Sequence, residues 1–370
     1  MQGILEFLPR IIVAIFMFGL LIFVHELGHF LAAKATNIKV NDFSIGMGPK
    51  LFGFQKGETQ FALRLFPMGG SCSMEGEEEG SNEPRAFSNR PRWARFIVLI
   101  AGSFMNFLMG VAIVLTLTAG IQTMAIPIIS GFPSEVGTSN GGLLPGDEIL
   151  KINGQRVYVT GDISLLLDRY AEPVYEETDG ERKLVGYKGD YEMQVRRNGQ
   201  KMTIQSFLEK KTRIDDDGSK SFGYGLRLTV VDATFGRKLA HTWNTSVNYL
   251  RLVRMGLVDL ISGKAGVEDL SGPIGITAMM VEVVGEQQFT LLWGFLAFIS
   301  INLAFMNLLP IPALDGARIL FLAIDGILAL FGKKGLKTEH ENYVHLAGFA
   351  LLMLLMVYVG YQDVARLLAK

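Results

Sequence analysis

The sequence predicts an α-helical polytopic membrane protein with four transmembrane helices and an inserted α+β domain. Three observations predict it. The mean hydropathy of the 370 residues is +0.30, too high for an ordinary soluble domain, yet 19% of them are charged, too many for a chain that is all membrane span. Long apolar stretches recur at four places, on the scale needed to cross a ~30 Å hydrocarbon core. Between the second and third lies a polar segment with β-like alternation and turn signals. The balance of 35 Lys+Arg against 36 Asp+Glu excludes nucleic acid as the main partner. The single cysteine, Cys72, excludes a disulfide framework and any Cys-rich zinc module.

The first helix is expected within 1–36. Ile11 to Val24 is unbroken and apolar, then meets His25, Glu26 and His29 before resuming at Phe30 to Ala33. It lacks a small-residue cleavage site and runs into ionisable residues that a discarded leader does not need, so it reads as a retained span. A polar loop follows over 37–95. The second helix, 96–121, carries no charge from Phe96 to Ile121.

The inserted domain is expected over 122–210, with Asn153-Gly154 and Asn198-Gly199 as hairpin turns between alternating runs. Residues 171–190 read as polar and irregular, Asp215-Asp216-Asp217-Gly218 as an exposed turn, and Glu77-Glu78-Glu79 as a solvated loop. The stretch 211–288 reads as a linker. It contains an amphipathic helix over 236–263, with apolar positions Leu239, Trp243, Val247, Leu250, Val253 and Leu257 at helical spacing.

The third helix is expected over 289–316, interrupted by Asn302, Asn307, Pro310 and Pro312, and followed by a loop over 317–343. The fourth, with the C-terminus, takes 344–370, where the alternative is a buried globular helix. Loop charge predicts orientation. Lys and Arg crowd the segment from Lys34 to Arg95 and are absent from Gln122 to Leu150 and from Ala265 to Leu291. That puts 34–95 and 316–343 in the cytoplasm and 122–290 outside.

Chemistry concentrates at His25-Glu26-Leu27-Gly28-His29, an H-E-x-x-H pattern. On a helix, residues four apart lie roughly 40° apart in rotation and one turn apart in height. Both imidazoles then reach one Zn2+, and Glu26 sits beside it as general base. Ionisable groups inside an apolar span are costly unless they pair or bind something. His340 and His345, five apart, are splayed by roughly 140° and form no such clamp; neither these nor His241 carries a role. A zinc site needs a third ligand, and Asp315 is the best candidate, at the end of a helix unwound by two prolines and a glycine; the alternative is a capping aspartate. His25 lies roughly 21 Å of helical rise past Ile11, so both halves of the site arrive on the cytoplasmic side.

These residues resemble the site-2 protease family of intramembrane zinc metalloproteases, in its bacterial branch with an extracytoplasmic PDZ domain. Phe23 to Phe30 is similar to the family's metal motif and Asn307 to Gly316 to its Asp-bearing motif. Ser44 to Pro49 and Pro67-Met68-Gly69-Gly70 are similar to a cytoplasmic membrane-associated β-hairpin, Ala101-Gly102 with Asn106-Phe107 to the second-span motif, and Ser271 to Ile276 to the segment before the third span. Gly142 to Leu150, Ile152-Asn153-Gly154 and Arg197-Asn198-Gly199 carry the PDZ resemblance. Such a domain binds a peptide at a sheet edge or only filters by size, and both stay open. Ser71-Cys72-Ser73 and Ser103 depart from the family's usual residues, and 171–190 reads as an insertion.

The resemblance implies zinc-dependent cleavage within the transmembrane segment of a single-span substrate, such as an anti-sigma factor already trimmed outside, in a bacterial inner membrane. The substrate helix must unwind. The alternating run Phe61 to Leu65, with Leu63 and Leu65, offers strand addition beside Gly69 and Gly70. Asn307 and Asn302 are candidate substrate-backbone contacts, or helix–helix hydrogen bonds. An ion transporter and a non-catalytic PDZ scaffold are the rival classes.

Overall fold

The computed structural model describes all residues except 1, 78–80, 135, 137–138, 179–180, 215–219, 267–269, 286–287, 333–337 and 370. It divides into two compact units, Met1–Leu117 with Tyr249–Lys370, and Thr118–Asn248. In chain order, helix α1 (Gln2–Ala35) leads into strands β1 (Val40–Lys56) and β2 (Thr59–Met74) and helix α2 (Arg92–Ala119). The second unit holds β3 (Thr123–Gly131), β4 (Glu148–Ile152), β5 (Gln155–Arg156), α3 (Gly161–Tyr170), β6 (Glu172–Thr178), β7 (Glu181–Arg197), β8 (Gln200–Ile214), β9 (Lys220–Gly223) and β10 (Arg227–Asp232). Helix α4 (Phe235–Ile261) passes from the second unit's residues to the first's. It is followed by α5 (Pro273–Gly285), α6 (Phe289–Asn307), α7 (Asp315–Leu330) and α8 (Thr338–Ala369).

Among the described residues, four stretches are long and apolar enough to cross a membrane: Ile12–Ala35, Arg92–Ala119, Phe289–Asn307 and Tyr343–Arg366. They coincide with the four expected spans. Two boundaries differ. The third span ends at Asn307 rather than running to 316, because Pro310 and Pro312 cannot continue a helix. Where a loop was expected over 317–343, α7 forms instead. Its Ala317 and Leu322 are buried, and Ile319 packs on the same core as Leu322.

Strands β1 and β2 pair from Val40 opposite Met74 to Lys56 opposite Thr59, through a bulged register that uses part of each strand twice. Asp42 stands opposite both Ser73 and Gln60, Phe43 opposite both Cys72 and Phe61, and Leu63 opposite both Ile45 and Phe52. The run 60–63 is therefore flanked by β1 on both sides. Strand addition expected at Phe61 to Leu65 therefore finds both backbone edges filled at 61–63, while the register gives Arg64 one partner, Lys50. The segment 70–74 is flanked on one side only.

Phe43 and Phe61 join Ala33, Val98, Leu99 and Leu322 in one core, so the sheet packs on α1, which carries the H-E-x-x-H motif, together with α2 and α7. The Phe43 ring stands 5.3 Å from Phe30 and 6.2 Å from Phe23, both edge-on, contacts each worth about 1 kcal/mol beyond their buried area. Glu58, in the β1–β2 turn, accepts from both Nη atoms of Arg85 (2.7 and 2.8 Å) and from Lys34 Nζ (2.6 Å). That pins the turn to the last turn of α1.

The second unit is one sheet in the order β10-β3-β4-β7-β8-β9, with β5 on β4 and β6 on β7. Leu143, Ile149, Ile152, Leu166, Leu167, Tyr191, Met193, Val195 and Leu208 are buried in it. Both expected hairpin turns form, with positive φ at Asn153 (45°), Gly154 (75°), Asn198 (49°) and Gly199 (81°), as two-residue turns between twisted strands demand.

Two expectations change here. Residues 172–178 and 181–190 are not irregular: β6 pairs with β7, Glu172 opposite Lys188, a charge-matched pairing whose two polar faces hide the alternation. The strands β9 and β10 come from the stretch read as linker, so the sheet extends past 210 to Asp232. Asp215 to Gly218, Glu78, Glu79, Lys333, Lys334 and Lys337 lie outside the described residues.

Candidate metal centre

Helix α1 is continuous through the motif, so His25 and His29 project one turn apart from a single rod. Their Nε2 atoms stand 3.2 Å from each other. Asp315 Oδ2 lies 3.2 Å from His25 Nε2 and 3.4 Å from His29 Nε2. Asp315 is the first residue of α7. Ahead of it, the connection from Leu308 to Leu314 carries Ala313 at φ 75°, a left-handed conformation costly for a residue with a Cβ. The Ala313 N–H donates to Nδ1 of His345 on α8 (3.1 Å), which holds that turn.

The three converging atoms fit a tetrahedral zinc. Donors bonded at ~2.0–2.1 Å in a tetrahedron lie about 3.3–3.4 Å apart, which the three separations match. Asp315 Oδ2 is buried and makes no hydrogen bond. Two imidazole nitrogens and a carboxylate oxygen presenting lone pairs to one point repel unless a cation lies among them. Among the described residues, His25, His29 and Asp315 are the group of His, Cys, Asp or Glu side chains arranged to hold a metal ion.

Helix α2 supports the rings from behind. A carbonyl only accepts, so His29 Nδ1–H donates to Val98 O (2.8 Å) and leaves Nε2 with its lone pair facing the centre. Gly102 lies one turn further along. A Cβ there would stand 2.8 Å from His25 Cε1 and from His29 Cδ2 and would run into His29 Nε2. A Cβ on Gly28 would likewise meet the Ala101 backbone, so the two helices cross with backbones in contact at the motif. Asn106 is buried beside His25, Nδ2 3.5 Å from its Nδ1, and its main-chain oxygen accepts from Ser300 Oγ of α6 (2.7 Å).

Glu26 follows His25 and faces strand 70–74, where a Cβ on Gly70 would stand 3.0 Å from Glu26 Cγ. The structure thus brings His25, Glu26, His29, Asp315 and Gly70 together. Leu63 and Leu65 are exposed apolar side chains on β2, and Gly69 packs against Met47. Asn302 is buried with neither amide atom hydrogen-bonded, and Asn307 closes α6. Sequence reasoning missed Val98 and Ser300, and gave no contact at the site to Gly102 or His345. It also missed Arg318, one turn past Asp315, which pairs with Glu77 of the acidic run expected to be solvated.

The sequence profile of peptidase family M50 matches residues 13–355. A zinc metalloprotease of Clostridium acetobutylicum is 34% identical, over 96% of this chain and 97% of its own. A zinc metalloprotease of Helicobacter pylori strain J99 is 31% identical, over 96% and 99%. The regulator of sigma-W protease RasP of Bacillus subtilis is 28% identical, over 98% and 99%.

Proposed function

The chain belongs to peptidase family M50 and is a zinc-dependent membrane metalloprotease, and from that premise we propose that it cleaves the transmembrane segment of a single-span protein at a centre built by His25, His29 and Asp315, with Glu26 as general base. The metalloprotease assignment replaces the transporter and scaffold readings. One observation carries the proposal: three potential ligand atoms lie 3.2–3.4 Å apart, one of them a buried carboxylate oxygen with no hydrogen bond.

Bound zinc supplies the Lewis acidity that makes water a nucleophile near neutral pH. His25 and His29 present Nε2, with His29 oriented by Val98 O. Glu26 takes the proton of the attacking water and delivers it to the leaving amine, a role worth about 10²–10⁴-fold in rate.

A substrate helix must unwind first, since its peptide bonds are shielded by their own hydrogen bonds. The open side of 70–74, next to Glu26, supports capture of the unwound segment as an added strand at Gly69 and Gly70. The unpaired amide of Asn302 supports a role in binding substrate backbone, with Asn307 beside the same turn. In the second unit, β10 is an edge strand. A cavity of about 190 Å³ lies beside it, lined by Thr160, Ile163, Leu167, Tyr224 and Leu228. That supports a PDZ-like domain that binds an extended peptide rather than filtering by size alone.

The basic segment Lys34 to Arg95 supports an orientation with the metal centre towards the cytoplasm of a bacterial inner membrane. The name of the Bacillus relative supports an anti-sigma-factor-like substrate. The test compares wild type, Glu26→Gln and Asp315→Asn in detergent for bound zinc and for cleavage of a single-span reporter. Glu26→Gln is expected to keep zinc and lose cleavage, and Asp315→Asn to lose both. Wild-type cleavage by Glu26→Gln would falsify the mechanism.

A further inference from the structure

We propose that Asn106 is a positioning residue of the metal centre, its side-chain carbonyl accepting the Nδ1–H of His25 so that Nε2 faces the ion. The inference rests on the reading of His25, His29 and Asp315 as the ligand set.

Val98, Gly102 and Asn106 are spaced by four residues on α2, so they share one face, and all three meet the two imidazoles. Each position offers what the ring opposite lacks. The absent side chain at Gly102 uncovers the Val98 carbonyl one turn earlier, and His29 Nδ1–H reaches it at 2.8 Å. One turn later the helix surface is covered by the side chain of Asn106, so His25 meets that side chain instead of a main-chain carbonyl.

Asn106 is 0% exposed, with Nδ2 3.5 Å from His25 Nδ1 and Oδ1 engaged by no hydrogen bond. An Nδ2–H pointing at Nδ1 requires the His25 proton on Nε2, the atom 3.2 Å from both His29 Nε2 and Asp315 Oδ2. A proton there excludes coordination by that nitrogen. With the amide turned over, Oδ1 accepts from Nδ1–H, and Nε2 keeps its lone pair. The two ends of an amide are nearly the same shape, so the turn needs no repacking. Each ring then has an oxygen acceptor on Nδ1, the arrangement that fixes tautomer and orientation in metal-bound histidines. The Ser300 hydroxyl holds the main chain of residue 106 in place, a bond that no substitution of the side chain removes.

Three variants of the full-length protein in detergent test this: Asn106→Leu, with nearly the same shape and no acceptor; Asn106→Asp, an acceptor with no N–H; and Asp315→Asn. The readouts are the zinc dissociation constant by chelator competition, the visible spectrum of the Co2+-substituted protein, and the unfolding midpoint. Asn106→Leu is expected to weaken zinc by about 10–100-fold and to shift the Co2+ bands while unfolding like wild type. Asn106→Asp is expected to hold zinc at close to wild-type affinity.

Wild-type affinity in Asn106→Leu overturns the proposal. So does a folded Asn106→Asp as weak as the leucine variant, which assigns Asn106 as a donor. If the leucine variant does not fold, the aspartate variant decides alone, since it removes both N–H groups and keeps the acceptor. Full zinc affinity in Asp315→Asn instead sinks the ligand set, and the assignment of Asn106 goes with it.

Discussion

Replacing Gly102 by alanine adds one carbon where α2 passes the two imidazoles, and the structure sets the size of the effect. The new Cβ would stand 2.8 Å from His25 Cε1 and from His29 Cδ2, and nearer still to His29 Nε2. Carbon atoms rest at ~3.5–4.0 Å, so the rings must retreat by about 0.7–1.2 Å. Metal–ligand distances tolerate about 0.2 Å. Moving α2 instead draws Val98 O and Asn106 away from the rings they face. Either response misplaces ligands several-fold beyond tolerance, and a 1 Å misplacement costs about 10²-fold in rate. The expected result is zinc bound at least tenfold more weakly and reporter cleavage down by about 10², with helical content unchanged. Gly19→Ala is the control. A Cβ there meets nothing within 4 Å, and alanine in a helix interior adds up to about 1 kcal/mol of stability. If Gly102→Ala keeps full zinc and full activity, the imidazoles do not lie against α2.

Three further outcomes follow from contacts elsewhere. His345→Phe leaves the Ala313 N–H without its acceptor; at about 1–3 kcal/mol for that loss, zinc affinity is expected to fall roughly tenfold, measured by chelator competition. Arg85 and then Lys34 hold the Glu58 carboxyl down to about 2 from the usual 4.5. Its stabilisation is therefore complete above about 4.5 and is lost as pH falls through about 2. The difference in unfolding midpoint between wild type and Glu58→Gln should vanish across that window, and a difference that persists at its acid end contradicts the ion pair. Asp147 is buried, with its two oxygens 2.8 Å from Nε and Nη2 of Arg197. Asp147→Asn is expected to destabilise the second unit by about 3 kcal/mol in thermal unfolding, whereas a surface pair costs under about 1 kcal/mol.

The four candidate spans and the proposed ligand set were legible because they rest on local rules. A charge-free run of sufficient length and an i, i+4 histidine pair need no knowledge of the rest of the chain, and the prolines around Asp315 marked where a helix must break. What stayed hidden depends on long-range pairing. The Val98 carbonyl matters only because Gly102 uncovers it and α1 crosses there. His345 carries no role by its spacing from His340, since its partner is a main-chain N–H on another segment. Glu77 looked solvated until Arg318, 241 positions away, was brought to it. The filled edges of 60–63 follow from a doubled register that alternation alone does not encode.

The proposed ligands also differ in when they come into being. His25 and His29 emerge together, four residues apart, whereas Asp315 is joined only 286 residues after His29. At ~5–20 residues per second the histidine pair waits roughly 15–60 s for its aspartate, and longer for the α8 histidine that braces the aspartate's turn. During insertion a growing chain holds two donors and no third. Until α7 has been made, the proposed centre lacks its carboxylate.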